Sequence, residues 1–298
     1  MNLVIAGTIG LDDIKTPFGE VKGVLGGSGT YAACAASYFT KPGLVSIAGA
    51  DLPKEARDIL NSRQVDLGGV KFTDKTFHWS GSYEFDMNEA KTLLTELNAL
   101  LEFDAEVPEL YRQAEFLFLA NIDPVHQAKV LSQMKSKPFV VIDTMNYWIE
   151  SKKSDLLAVM KKADLAVINE GEARQLFGTP NLIKAGRLML EQGLQYAVIK
   201  KGEHGALLFS YDGFFSAPGY PLEEVKDPTG AGDSFAGGLI GYLAKTKDTS
   251  EANIRKAVVY GSAIASCCAE DFSLNYLKQT KLDDINARFE VFKQIRQF

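Results

Sequence analysis

Short apolar runs recur along the chain, and most are separated by longer stretches with an apolar residue every three or four positions. The runs Leu3–Ala6, Leu44–Ala48, Phe116–Ala120, Phe139–Asp143, Leu165–Asn169 and Tyr196–Lys200 are apolar on nearly every position, the last three closing on a polar residue. That pattern predicts strands covered on both faces. Between them, Pro124–Met134, Ser154–Lys162 and Asn181–Gln192 carry helical spacing. Strand and helix in alternation predict βαβ units and a mainly parallel sheet between two helical layers. After Lys200 the rhythm changes. Ala206–Ser210 and Gly213–Ala217 flank Tyr211-Asp212, which predicts an antiparallel hairpin at the sheet edge. Gly230–Lys245, Glu251–Ala269 and Leu282–Gln297 then predict three helices.

Residues 70–101 break this rhythm. Thr76–Phe85 is β-prone, and Asp86-Met87-Asn88 is a turn signal. The next stretch, EAKTLLTELNALL, lines Leu93, Leu94, Leu97, Leu100 and Leu101 along one helical stripe. Propensity alone therefore predicts a helix there. No repeat, low-complexity tract or linker divides the chain, so one domain over residues 1–298 is expected.

Composition narrows the function classes. The chain has 298 residues, 46% of them hydrophobic, and a net charge of −6. That length supports a large core, and the charge argues against nucleic acid or an anionic membrane as partner. The longest basic cluster, Lys152-Lys153 with Lys161-Lys162, is interrupted by Asp155 and reads as a solvated helix face. No apolar run approaches the ~20 residues of a membrane span. The opening MNLVIAG lacks a basic segment before its apolar stretch, so it reads as a first strand and not a signal peptide. Three cysteines without framework spacing fit a reducing cytoplasm and are expected in the core. His78, His126 and His204 are far apart and lack a complementary Cys pair, so no zinc site is expected.

The segment KDPTGAGDSFAGG, Lys226 to Gly238, carries the chemistry. Pro228 ends any preceding element, and Gly230-Ala231-Gly232 lets several N–H groups converge just before an apolar helix. Such a helix start attracts anions through its unpaired N–H groups and dipole. Asp233 sits inside this turn. As a plain helix cap it needs no further explanation. A glycine nest beside a carboxylate is also what phosphoryl transfer to an alcohol requires, with donors for the transferred group and a base for the hydroxyl. The P-loop pattern GxxxxGK[ST] is not completed, because no Lys follows the second glycine.

DPTGAGDSFAGG resembles the C-terminal signature of the ribokinase-like, phosphofructokinase-B-type family of carbohydrate kinases. Four further segments resemble that family in the same order: GTIGLDD, the di-glycine Gly26-Gly27 in GGSGTYAACAA, NEGEARQLFG from Asn169 to Gly178, and KKGEHG from Lys200 to Gly205. The resemblance implies a three-layer α/β/α fold with a mainly parallel sheet and a small β-lid at about residues 70–101, hence strands where propensity predicts a helix. It implies an ATP-dependent kinase that transfers the γ-phosphate to a hydroxyl of an unphosphorylated sugar. By the same resemblance Asp233 is the general base, and Gly230, Ala231 and Gly232 form the anion hole. Asp12, Gly26, Gly27 and Asn98 join Asp233 around the acceptor. Asn169, Lys200, Gly202, Gly205 and Asp227 border ATP with the anion-hole glycines, and Asn169 and Glu172 hold Mg²⁺, mostly through water. Taken alone, Asn169 with Glu172 also reads as a helix capping pair. ATP and Mg²⁺ are the implied cofactors, and a monovalent cation such as K⁺ is compatible with Asp227.

Some positions depart from the family pattern. Tyr31 and Gly10 stand where many relatives carry Asn, and CCAEDFSLNYL lacks a glycine common in ribokinases. A nucleoside acceptor is therefore the second reading, favoured by Tyr31 and by the lid aromatics Phe77, His78, Trp79 and Phe85. A non-catalytic sugar- or nucleotide-binding regulator is the third, disfavoured by the complete GAGD. No nucleic-acid or membrane partner is expected, and an apolar lid face would suit a homodimer.

Overall fold

All six apolar runs become strands of one sheet, because a segment apolar on nearly every position must be covered on both faces. The architecture comes from a computed structural model, which describes residues 1–298 except Glu89, Arg296 and Phe298. The N-terminal part runs β1 Leu3–Ala6, β2 Gly10–Thr16, β3 Gly19–Gly26, α1 Ser28–Ala36, β4 Gly43–Gly49, α2 Lys54–Ser62 and β5 Asp66–Thr73. Then follow β6 Phe77–Tyr83, β7 Ala90–Glu96, β8 Phe116–Leu119, α3 Pro124–Ser132, β9 Phe139–Ile142, α4 Asn146–Ser151 and α5 Lys153–Met160. The rest is β10 Leu165–Asn169, α6 Glu170–Phe177, α7 Leu182–Leu190, β11 Tyr196–Lys200, β12 Ala206–Ser210, β13 Gly213–Ala217, α8 Ala231–Thr246, α9 Glu251–Ala269 and α10 Leu282–Ile295.

The main sheet has nine strands in the order β13-β12-β11-β10-β9-β8-β1-β4-β5. Its pairs are parallel from β5 to β11, and the β12–β13 hairpin adds antiparallel strands at one edge, turning at Tyr211-Asp212. Side chains along each strand alternate between two apolar cores. Leu3 and Ile5 pack with α1, α8 and α9, while Val4 and Ala6 share the other core with α3, α5, α6 and α7. The result is the expected three-layer α/β/α arrangement.

Beside it lies a four-stranded sheet in the order β3-β2-β6-β7. Its extent differs from the expected insertion at residues 70–101. Residues 70–73 belong to β5, which pairs with β4 in the main sheet. Two of the four small-sheet strands, β2 and β3, come from residues 10–26 instead. Those strands hide in the sequence because charged residues such as Asp13, Lys15, Glu20 and Lys22 punctuate them. In the leucine-rich stretch, β7 pairs antiparallel with β6, so strand pairing overrides the helical spacing. That spacing survives only from Asn98, where a 3₁₀ turn runs to Glu102. Among the described residues no helix is long and apolar enough to cross a membrane.

Candidate active site

The turn before α8 is built around a residue that only glycine fits. Gly230 has φ 75°, in the left-handed region, and a Cβ there would lie 2.4 Å from the ring of Tyr31. Tyr31, on α1, is 1% exposed and forms the floor of the turn. Pro228 accepts the Ala231 N–H at 3.1 Å and Gly230 accepts the Ser234 N–H at 2.8 Å. No backbone partner falls to the N–H groups of Gly230 and Gly232 among the described residues. Of the three residues expected to form an anion hole, Gly230 and Gly232 thus keep their N–H groups free of backbone partners, while the Ala231 N–H is used inside the turn.

Asp233 is the third residue of α8 and is half-buried. Burial, followed by the charge of Asp143, pushes its carboxyl up to about 7, against the opposing pull of Lys200 and of its own N–H. Asp227, at the other end of the turn, is fully buried. It accepts the Thr229 N–H at 2.9 Å and the Ser273 N–H at 3.2 Å, which ties the turn to the segment after α9.

Three parallel strands deliver charged groups at their carboxyl ends, where open α/β sheets present ligand sites. Asp143 follows β9, Asn169 ends β10 and Lys200 ends β11. The Lys200 ammonium lies 3.2 Å from the buried Asp143 carboxylate. A Cβ on Gly232 would sit 3.0 Å from Lys200 Nζ, so the ammonium reaches the start of α8. Asp143, Glu172 and Asp233 all favour the charged form of Lys200. Asn169 caps α6 reciprocally: its side chain accepts the Glu172 N–H and Glu172 accepts the Asn169 N–H, both at 2.8 Å. Burial and the neighbouring Asp143 nonetheless push the Glu172 carboxyl up to about 8, with Lys200 opposing.

Asp12 sits on β2, facing this cluster from the small sheet. Burial first, then the charges of Asp227, Asp233 and Asp13, push it up to about 8. Gly26 on β3 makes room for it, since a Cβ there would stand 1.9 Å from Asp12 Oδ2. Gly27 caps α1, and Gly205 turns beneath the Ala217 carbonyl, while Gly202 is exposed at the surface of the same loop. Asn98 donates its amide to the Thr76 carbonyl at 2.9 Å, bracing the entry to β6.

The site thus gathers Asp143, Glu172 and Asp233 around the Lys200 ammonium, with Asp12 facing Asp233 and Asp227 from the small sheet. The carboxyls of Asp12, Glu172 and Asp233 are pushed far above the usual carboxylate range, by burial first and by neighbouring carboxylates second, a pattern common at functional sites. No three His, Cys, Asp or Glu side chains among the described residues are placed to ligate an ion together. Glu172, Asn169 and Asp143 stand near the ends of β9 and β10 as oxygen donors of the kind a hydrated divalent cation meets through its waters. Of this neighbourhood, sequence reasoning missed Tyr83 of β6; it took Tyr31 only as a position that bears on the acceptor, and Asp143 as a strand-end residue equally suited to lining the site or starting a helix. The strand-end position of Asp143 is a usable signal. Tyr83 has none, since its partner Thr229 lies 146 residues away.

The family described as pfkB family carbohydrate kinase matches residues 9–281. A cytidine kinase of Thermococcus kodakarensis is 34% identical over 259 residues, covering 84% of this chain and 91% of that protein. A fructokinase-2 of Oryza sativa subsp. japonica is 30% identical, covering 71% of this chain and 68% of that protein. Among solved structures, a ribokinase-II-type chain from E. coli in complex with ATP and Mg²⁺ superposes with a TM-score of 0.79. It is 19% identical over 99% of both chains, which shows a shared fold.

Proposed function

Because this chain belongs to the pfkB family of carbohydrate kinases, and so is a phosphotransferase with an alcohol acceptor, we propose that it transfers the γ-phosphate of ATP to a hydroxyl of an unphosphorylated sugar unit, with Asp233 as general base. The observation that carries the reading is the position of Asp233. Its carboxyl, pushed up to about 7 by burial, is set one residue past the two free N–H groups of the turn.

The acceptor hydroxyl lies between Asp12 and Asp233, so that Asp12 accepts from a neighbouring hydroxyl and fixes the sugar. Asp233 takes the proton as the acceptor oxygen bonds to the γ-phosphorus, and the bond from phosphorus to the β,γ-bridging oxygen breaks to release ADP. The N–H groups of Gly230 and Gly232 meet the negative charge on the transferred group, at the positive end of a 16-residue helix. Lys200 adds positive charge on the same side, and Gly202 and Gly205 shape the loop that borders the nucleotide. Glu172, Asn169 and Asp143 would hold Mg²⁺ through water; when bound, that ion neutralises phosphate charge. Asp227 holds the turn in place from behind. Closing the small sheet over the acceptor excludes water that would otherwise take the phosphate.

For the acceptor, a ribonucleoside is the second reading. The likeness to a cytidine kinase over 91% of that protein supports it, as do the β6 aromatics near Asp12. Exposed Phe85, Leu93 and Leu94 on or beside the small sheet suit contact with a second copy, and the three buried free cysteines suit the cytoplasm. Measuring ADP release from Mg·ATP against free sugars and nucleosides tests the proposal. Release that depends on an acceptor supports it, and silence across the panel with ATP still bound favours a binding protein.

A further inference from the structure

Thr229 is the residue just before the free N–H groups, and all three of its polar groups are engaged. Its N–H donates to Asp227 Oδ1 at 2.9 Å, and its carbonyl accepts from Cys268 Sγ at 3.5 Å. Its hydroxyl donates to the Tyr83 hydroxyl at 3.2 Å. The first two bonds come from the body of the protein, from the turn itself and from α9. The third comes from the small sheet, since Tyr83 is the last residue of β6.

The turn is anchored on both sides of Thr229, which leaves Thr229 as the point where a further contact can act. Gly230 is pressed against the Tyr31 ring, and Asp227 is pinned by Ser273. A shift of Thr229 would therefore pass directly into the N–H groups that follow it. β6 in turn pairs in parallel with β2, in a register that sets Asp12 opposite Trp79. Ladder pairing makes the two strands move as one body. The residue facing the acceptor and the residue touching the turn thus ride on the same sheet, at Asp12 and Tyr83.

We propose that Tyr83 is a positioning residue that latches the small sheet to Thr229, so that the anion-binding turn is held in its working geometry only when the sheet is closed. The inference rests on the kinase reading above and adds to it a device against wasteful ATP hydrolysis. An acceptor held at Asp12 on β2 steadies the sheet that carries Tyr83 and so favours the Tyr83–Thr229 bond. Without an acceptor the latch is open more of the time and the turn is looser. The bond is neutral and partly shielded, a type whose loss usually costs a factor of roughly 3 to 10.

Tyr83→Phe and Thr229→Val each delete one hydroxyl while keeping shape. The expected result is a fall in kcat of about 3- to 10-fold in each single variant at saturating acceptor, with Mg·ATP affinity by calorimetry unchanged. The double variant should be no slower than either single one, because both remove the same bond. Three results would overturn the latch: unchanged kcat, losses that multiply in the double variant, or a change confined to acceptor KM. The last would make Tyr83 a residue that touches the acceptor. If the wild-type protein turns over no acceptor, the kinase reading fails by itself. The latch is then judged from urea unfolding of the same four proteins, where additive effects of the two substitutions would overturn it.

Discussion

Gly230→Ala isolates the two reasons why the turn before α8 needs glycine. A side chain at φ 75° carries the left-handed penalty, ~1–2 kcal/mol for an L-residue. The added Cβ would also stand 2.4 Å from the Tyr31 ring, well inside contact distance. Tyr31 is 1% exposed, so its ring has no open space to move into, and overpacking of this kind costs ~1–3 kcal/mol. Together the substitution should destabilise the protein by ~2–5 kcal/mol, a large share of the ~5–15 kcal/mol typical of a domain. Only the second part depends on Tyr31. In a Tyr31→Ala background the cost of Gly230→Ala should therefore drop to the backbone part, leaving a coupling of ~1–3 kcal/mol. Urea unfolding of wild type, both single variants and the double variant measures this directly. A cost below ~0.5 kcal/mol for Gly230→Ala would refute the argument, and so would an equal cost in both backgrounds. The steady-state rate gives a second readout, since a turn displaced to fit the Cβ misplaces both free N–H groups and should lower kcat.

Two further predictions concern the carboxylates. Glu172→Gln keeps an oxygen for the Asn169 N–H, so the cap on α6 and the melting temperature should change little. The lost charge should raise the Mg²⁺ concentration needed for half-maximal rate by roughly 10–100-fold, and an unchanged Mg²⁺ requirement would remove Glu172 from the metal's surroundings. The ligand-free protein should also be less stable at pH 8 than at pH 6. Asp12 and Glu172, pushed up to about 8, and Asp233, pushed up to about 7, bind protons in the folded state at pH values where the unfolded chain has released them. Their contribution is complete below about pH 4 and is lost as the pH rises through 7 and 8. A melting temperature that climbs from pH 6 to 8, traced by calorimetry, would contradict the assignment, and Asp12→Asn should flatten the fall.

How much of this was legible beforehand depended on how local each feature is. The main sheet was readable because β1, β8, β9, β10 and β11 are apolar on nearly every position, a pattern imposed by burial on both faces. The small sheet was not, because its strands are exposed on one side and carry charges there. In β7 leucines at helical spacing even pointed to the wrong element, and Leu93 and Leu94 remain solvent-facing at 58% and 48%. The turn from Lys226 to Asp233 was legible because its chemistry is contiguous in sequence. What surrounds it was assembled by the fold: Tyr31 from α1 as its floor, Asp143 from β9 against Lys200, and Tyr83 from the small sheet. No spacing rule brings residues that far apart together. The finer detail within the turn, that Ala231 spends its N–H on Pro228, needed coordinates as well.

The central claim is that Asp233 removes the acceptor proton, and kcat/KM against pH for wild type and Asp233→Asn tests it most directly. With an acceptor identified from ADP release, the wild-type kcat/KM should rise with pH through about 7 as the carboxyl ionises. Asp233→Asn should bind Mg·ATP as wild type does, turn over roughly 10²-fold slower or worse, and lose that rising limb. Near-normal turnover in Asp233→Asn, or a slow variant that keeps the same limb, would contradict the account.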